Sequence, residues 1–322
     1  MRLDTGKPKV VIIGGPTGSG KSHVALKLAE ALDGEIVNAD SMQVYKYMDI
    51  GTAKPTKEER QKVPHHLLDV VEPDEPFNAA LYRELALPVI RDIEERGKTC
   101  FVVGGTGLYI KVLLGGLFSC PPSDPELRRS LWEECQGLGP ERLHKRLAAI
   151  DPESASKIHP RDRMRITRAL EVYELTKKRP SELAGGHEFK EKSLDALKLC
   201  LSLPRDVLYE KINRRAEEMV KSGLVEETKG LIEMGYSPGL KPMKAIGYKH
   251  MASYIMGEAP LEEALTRMKR DTRRYAKRQL TWFRGDREYH WFDPSQIKRM
   301  QTEVERFLLE GKRDLNYLEK NK

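Results

Sequence analysis

Eight residues near the start of the chain have the types and spacing for phosphate chemistry. Gly15-Pro16-Thr17-Gly18-Ser19-Gly20-Lys21-Ser22 satisfies G-x-x-x-x-G-K-[ST] at every position. Glycines at these places admit backbone conformations closed to bulkier residues, so that successive N–H groups turn inward on an anion. Lys21 adds a cation, Ser22 offers a hydroxyl to Mg2+, and a helix beginning at Lys21 adds positive potential. Gly15, Thr17, Gly18, Ser19, Gly20, Lys21 and Ser22 are therefore expected to hold a phosphate or diphosphate. The motif does not say whether those phosphates belong to ATP or to another diphosphate compound.

A second group follows in Asn38-Ala39-Asp40-Ser41-Met42-Gln43-Val44-Tyr45. Ligands of an open parallel sheet bind outside the carboxyl ends of its strands, which puts Asp40 at the mouth of the phosphate site. From position alone this acid serves equally as a metal ligand, a proton acceptor or a helix cap. Further along, Arg267 to Arg287 contains nine Lys and Arg against Asp271 and Asp286, a local excess of +7 (9 − 2) that equals the formal net charge of the whole chain. Tyr275, Trp282 and Phe283 are interleaved, a composition suited to phosphate contact and base stacking. Arg161-Asp162-Arg163-Met164-Arg165-Ile166-Thr167-Arg168 is a second basic stretch. His65-His66 does not read as a metal site, since adjacent side chains diverge and no further ligand lies at suitable spacing. Cys100, Cys120, Cys135 and Cys200 form no C-x-x-C pair, which speaks against a zinc cluster or redox motif.

These groups need a frame. Val10 to Ile13, Glu35 to Asn38, Thr99 to Val103, Leu197 to Leu203 and Glu288 to Phe292 read as strands, and the first three are continuous enough in apolar character for a sheet buried on both faces. The expected fold class is α/β: a P-loop, nucleotide-kinase-like parallel sheet core with a helical insertion and additional C-terminal helices. The core is expected to comprise residues 1–118 and 196–322. Residues 119–195 are expected to form a mainly helical insertion, entered through Ser119-Cys120-Pro121-Pro122-Ser123-Asp124-Pro125 and left near Gly185-Gly186. Its last helix, about Asp162 to Lys178, is expected to return to the core. The tail from Glu303 reads as a frayed helix. No apolar run reaches membrane-spanning length, and the first seven residues lack the apolar segment of a secretory signal. A cytoplasmic protein with no membrane partner is expected.

The motifs in this order resemble the bacterial tRNA dimethylallyltransferase family, also described as isopentenyl diphosphate:tRNA isopentenyltransferases. The resemblance is carried by the P-loop, Asp40-Ser41-Met42-Gln43-Val44-Tyr45, Gly51-Thr52-Ala53-Lys54-Pro55, His65-His66-Leu67 and Gly104-Gly105-Thr106-Gly107-Leu108-Tyr109. It continues in Arg168-Ala169-Leu170-Glu171-Val172, Ala245-Ile246-Gly247-Tyr248 and Lys277-Arg278-Gln279-Leu280-Thr281-Trp282. It implies transfer of a dimethylallyl group from dimethylallyl diphosphate to N6 of the adenosine immediately 3′ of the tRNA anticodon. Asp40 would accept the amine proton, Thr106 would position the base, and Arg215 would join the P-loop and Mg2+ on the departing diphosphate. The resemblance further implies contact with the anticodon stem-loop by Asp40, Ser41, Met42, Gln43, Thr106, Arg128, Met164, Arg165, Ile166, Thr167 and Arg168. Arg274, Lys277 and Arg278 join them as the basic helix's expected RNA contacts. Arg165 and Arg168 could serve the diphosphate instead. The target base must leave its stack to reach a pocket, at a cost of roughly a few kcal/mol.

Three other readings share parts of this pattern. A small-molecule kinase would use the P-loop for ATP but leave the basic helices unexplained. An enzyme prenylating free adenine nucleotides would lack the tRNA contacts. An RNA-binding ATPase-like adaptor would leave the Asp40 loop without a task. A monomer is expected.

Overall fold

The computed structural model describes residues 6–117, 121–185 and 193–319, with side chains described to residue 310. Compact packing divides the chain into two units, residues 1–114 with 193–322, and residues 115–192.

The first unit opens with β1 (Lys9–Gly14), the P-loop and α1 (Lys21–Ala31), then β2 (Gly34–Asn38), α2 (Lys57–Lys62), the two-residue β3 (His65–His66), α3 (Ala79–Glu95), β4 (Thr99–Val103) and α4 (Gly107–Gly115). The second unit contains α5 (Pro125–Leu138), α6 (Pro140–Ile150), α7 (Pro152–Lys157), α8 (Arg163–Thr176) and α9 (Pro180–Gly185). The first unit then resumes with β5 (Asp195–Leu201), α10 (Arg205–Lys221), α11 (Leu224–Glu233), α12 (Tyr248–Ile255), α13 (Leu261–Arg284), β6 (His290–Phe292) and α14 (Ile297–Glu319).

The six strands form one sheet in the order β3-β2-β4-β1-β5-β6, every pairing parallel. Val10, Val11, Ile12 and Ile13 are wholly buried, as expected of a strand covered on both faces. Alternate residues serve opposite cores. Val10, Ile12, Val37 and Val102 pack with Tyr82, Ile90 and Tyr109 of α3 and α4, while Val11, Ile13, Ile36 and Phe101 pack with Val24 and Leu28 of α1 and Val304 of α14. The adjacency of β2, β4 and β1 matters most for function. Parallel strands end on the same edge, so the three loops that follow them meet there.

Strand β3 was not expected, because two residues carry no periodic signal. His66 nonetheless has a clear role: its Nε2 lies 2.7 Å from Glu35 Oε2. Glu35 is also bonded by Arg96, chiefly responsible for holding its carboxyl down to about 2, with His66 helping and burial opposing. Among the described residues no three His, Cys, Asp or Glu cluster in a way that could hold a metal ion.

In the second unit Leu131, Cys135, Leu143, Leu147, Ile166 and Leu170 form a core of their own. Helix α8 packs on α5, α6 and α9. Gly186 and Cys120, expected at the two junctions, lie outside the described residues.

Candidate active site

The P-loop leaves β1 through three left-handed glycines, Gly15 (φ 136°), Gly18 (φ 81°) and Gly20 (φ 90°), which side chains rarely tolerate. No side chain caps α1, so its first N–H groups are left for a ligand. Ser19 Oγ is buried without a partner. Lys21 Nζ donates to the Pro16 carbonyl at 2.8 Å. Burial pushes the Lys21 ammonium down to about 8; Asp40 opposes that shift and Arg215 adds to it. Arg215, on α10, is likewise lowered by burial and supported by Asp40. Two enclosed cations thus share one nearby carboxylate.

Asp40 follows β2. Its N–H donates to Asn38 Oδ1 at 3.0 Å, and its Oδ1 accepts the Met42 N–H at 2.8 Å. The acid therefore closes a local turn, with no helix behind it to cap, and its other oxygen remains available. Thr106 follows β4. Its Oγ1 accepts the Ser41 N–H at 3.0 Å, and its own N–H donates to the Ala39 carbonyl at 3.2 Å. The structure thus joins Asp40, Ser41 and Thr106 into one hydrogen-bonded corner.

Two cavities meet at this corner. The smaller, about 80 Å³, lies over the P-loop and is lined by Lys21, Ser22, Asn38, Gln43 and Gly104 among others. The larger, about 420 Å³, is walled by Met42, Ile212, Met219, Ile246, Met268 and Tyr275, with Lys241, Lys244, Lys249 and Arg278 around it. Thr17, Asp40, Thr52 and Arg215 line both. An anion pocket beside an apolar chamber, with an acid and an arginine at the junction, suits a compound whose diphosphate is attached to an apolar group. Gln43 faces the smaller cavity, where its Nε2 donates to the Thr52 and Ala53 carbonyls at 3.1 and 3.2 Å. The amide nitrogen thus holds the Thr52–Ala53 backbone.

The basic helix is sorted by its neighbours. On α13, Lys269 pairs with Glu217, Arg267 with Glu263 and Arg270 with Asp271, while Arg273 donates to Asn213 at 2.6 Å. These cations partly serve packing. Arg274 lies 3.9 Å from Asp271 and is largely exposed. Lys277 and Arg278 are exposed, and Arg278 reaches the larger cavity.

Within the second unit Arg128 and Arg168 both donate to the fully buried Glu171, at 2.7 and 2.8 Å. Burial raises the Glu171 pKa, and the two arginines outweigh it, leaving the group below the usual carboxylate range. Ile166 and Thr167 are buried in that unit's core, and Thr167 Oγ1 donates to the Arg163 carbonyl. Their side chains therefore face that unit's core. Met164 (68% exposed) and Arg165 remain at the surface.

Sequence reasoning gave no task to Gln279, Thr52, Lys241 or Lys244. Gln279 and Thr52 lie inside quoted motifs, but motif membership alone names no partner. Lys241 donates to the Phe77 carbonyl at 2.8 Å, a pairing 164 residues apart that spacing cannot reveal.

Known proteins bear on this geometry. The IPP transferase family's sequence model matches residues 43–286, and an isopentenyl transferase model matches residues 8–75. The chain belongs to the IPP transferase family. The chain is 52% identical over 297 residues to a tRNA dimethylallyltransferase of Syntrophobacter fumaroxidans, covering 92% of this chain and 87% of the relative. It is 52% identical over 302 residues to one of Geobacter sulfurreducens, covering 94% and 97%. Among solved structures, the tRNA isopentenylpyrophosphate transferase of Bacillus halodurans superposes with a TM-score of 0.71 at 40% identity, covering 97% of this chain and all of the other. A eukaryotic dimethylallyltransferase acting on tRNA gives 0.74 at 30% identity, covering 96% and 79%. The six-stranded parallel sheet agrees with the kinase-like core expected of an IPP transferase.

Two outcomes follow from the charges. A bound diphosphate raises the Lys21 pKa, so the contribution of Lys21 to affinity is complete below about 8, the free value. Above that pH binding requires proton uptake, and affinity falls by up to about tenfold per unit. Calorimetric titration with inorganic diphosphate should show this fall, and Lys21→Arg, with its permanent charge, should flatten it. Replacing Arg274, Lys277 and Arg278 by glutamine should weaken tRNA binding about evenly across sequences and lower the salt slope by roughly two to three units. An unchanged slope in a filter-binding assay would leave these residues as a solvated face.

Proposed function

We propose that this IPP transferase moves the dimethylallyl group of dimethylallyl diphosphate onto N6 of the adenosine immediately 3′ of the anticodon of tRNA, releasing diphosphate. The observation that carries the reading is the junction of the two cavities at Thr17, Asp40 and Arg215. The relatives' names support the substrates.

Residues Thr17 to Ser22 enclose the diphosphate, which is bound by the backbone N–H groups of Gly18, Gly20, Lys21 and Ser22 and by the Lys21 ammonium. The prenyl chain lies toward Met42, Ile212 and Met219. The N6 lone pair is delocalised into the purine, so the amine attacks poorly unless its proton is drawn off. As the N6–C1 bond forms, the C1–O bond breaks and its electron pair leaves with the diphosphate. Asp40 accepts the N6 proton. The allylic carbon bears its transient charge by resonance, so the protein's main task is to hold the developing anion, which Lys21, Arg215 and the loop amides do.

Magnesium fits this site. Ser22 is exposed and lines the phosphate cavity with Asp40, and the lack of a carboxylate cluster among the described residues suits an ion that takes most of its oxygens from substrate and water. Ser22 would hold it, and the ion would neutralise the leaving group's charge.

Thr106 and Ser41 position the base. Met164, Arg165 and Arg128 of the second unit, with Arg274, Lys277 and Arg278, meet the anticodon stem-loop. Ser41 and Met42 line the larger cavity on the side of Asp40. Residues 1–118 and 196–322 form the catalytic core and 119–195 the insertion domain. In this reading the protein acts as a cytoplasmic monomer. No described helix is long and apolar enough to cross a membrane.

The direct test supplies dimethylallyl diphosphate and Mg2+ with unmodified tRNA, with AMP, and with ATP alone. Prenylated adenosine is expected from tRNA only; phosphorylated product or ATP hydrolysis would defeat the reading. Asp40→Asn preserves the acceptor for the Met42 N–H and removes the base. It should lower single-turnover rate by about 10² to 10⁴ with little change in tRNA affinity, and an unchanged rate would remove Asp40 from the mechanism.

A further inference from the structure

Gln279 has no part in the reaction steps above, yet it is only 5% exposed and its amide is bonded at both ends. Oε1 accepts the Thr17 N–H at 2.8 Å, and Nε2 donates to the Gly105 carbonyl at 3.0 Å. Thr17 stands at the start of the diphosphate cradle and lines both cavities. Gly105 precedes Thr106, whose hydroxyl holds the Ser41 N–H beside Asp40. One side chain from a third element therefore ties the loop that carries the leaving group to the loop that positions the base.

Space has been left for this amide. A Cβ on Gly105 would fall 2.2 Å from Gln279 Nε2, and Gly105 is not among the glycines with positive φ. Glycine at 105 therefore answers to the close approach of the amide and not to a turn. An apolar side chain could fill the same volume without desolvating a polar group, since burying an amide is unfavourable unless both its ends are bonded. The two-ended geometry is what an apolar residue would not supply.

Resting on the reading of this site as a dimethylallyl transfer centre, we propose that Gln279 is a positioning residue that fixes the separation between the diphosphate loop and the base-holding corner. Displacement at carbon depends steeply on the approach of the reacting atoms, and a shift of about 1 Å costs up to about 10²-fold in rate. Gln279 thus acts on the transfer step, while the contacts that bind each substrate separately stay in place.

Gln279→Glu is nearly isosteric and tests this directly. A carboxylate still accepts from Thr17 but cannot donate to Gly105, so oxygen faces oxygen and the clamp opens. A carboxylic acid donates again and closes it. The titratable groups sharing this cavity are Lys21, Asp40, Arg215 and His65, with Tyr275 adjoining on α13. They titrate in the unaltered protein too, so its profile is the reference.

With saturating dimethylallyl diphosphate and tRNA at about pH 8, the single-turnover rate of Gln279→Glu should fall about tenfold or more. The affinity of this variant and of Gly105→Ala for tRNA, and of Gly105→Ala for inorganic diphosphate, should stay within about threefold, while the added carboxylate of Gln279→Glu weakens diphosphate binding until it is protonated. The ratio of variant to unaltered rate should rise as pH is lowered toward about 6, where a buried carboxyl regains its proton. Gly105→Ala displaces the amide without changing it, and should show the same loss with no recovery at low pH. Unaltered rates from either variant, with unfolding midpoints that match the starting protein, would overturn the proposal. So would a loss confined to substrate affinity. If the unaltered protein forms no prenylated adenosine, the reaction assignment falls and the clamp's role with it; full rates from the variants would overturn the clamp alone.

Discussion

The site is governed by an uneven charge balance. Lys21 and Arg215 are both enclosed by protein, and Asp40 is the carboxylate set against them. Two desolvated cations share Asp40, with Glu218 supporting Arg215 alone, and burial lowers the Lys21 pKa to about 8; both features favour the arrival of further negative charge. A diphosphate meets it. As an allylic C–O bond breaks, negative charge grows on the same group, so the imbalance that attracts the ligand also stabilises its departure.

The balance depends on the sheet. Strands β1, β2 and β4 are neighbours and run in one direction, so the P-loop, Asp40 and Gly104–Gly107 come to a single edge. None of these loops alone makes the site. Residues of α10, α12 and α13 complete it: Arg215 stands at the junction, Lys249 and Arg278 line the chamber, and Gln279 crosses between two loops. The first and last thirds of the chain thus contribute to one pocket.

Much of this was legible in the sequence, for identifiable reasons. The P-loop could be read because glycine spacing and strand context both bear on backbone geometry. Strand β4 matched its expected bounds, Thr99–Val103, because its apolar run ends abruptly at Gly104. Strand β3 could not be read, since two histidines show no alternation, and their pairing with β2 is a tertiary fact. Within the site, types and spacing pointed to Asp40 and Lys21 but not to Gln279, whose partners lie 262 and 174 residues away. Charge counting also overstated the basic helix. Lys269 and Arg273 are held by Glu217 and Asn213 of α10, which a tally of lysines and arginines does not reveal. Ile166 and Thr167 sat in a matching stretch, but helical periodicity turns them inward while Met164 and Arg165 face out.

The central claim is that the glycine-lined cradle holds the leaving group of a prenyl donor, with the apolar chamber taking its hydrocarbon. A crystal structure with a non-hydrolysable thiodiphosphate analogue of dimethylallyl diphosphate tests it most directly. The account predicts the diphosphate on Thr17 to Ser22 within reach of Arg215, and the isoprenoid among Met42, Ile212 and Met219. A triphosphate of ATP seated in the cradle, with the isoprenoid analogue displaced or absent, would contradict it.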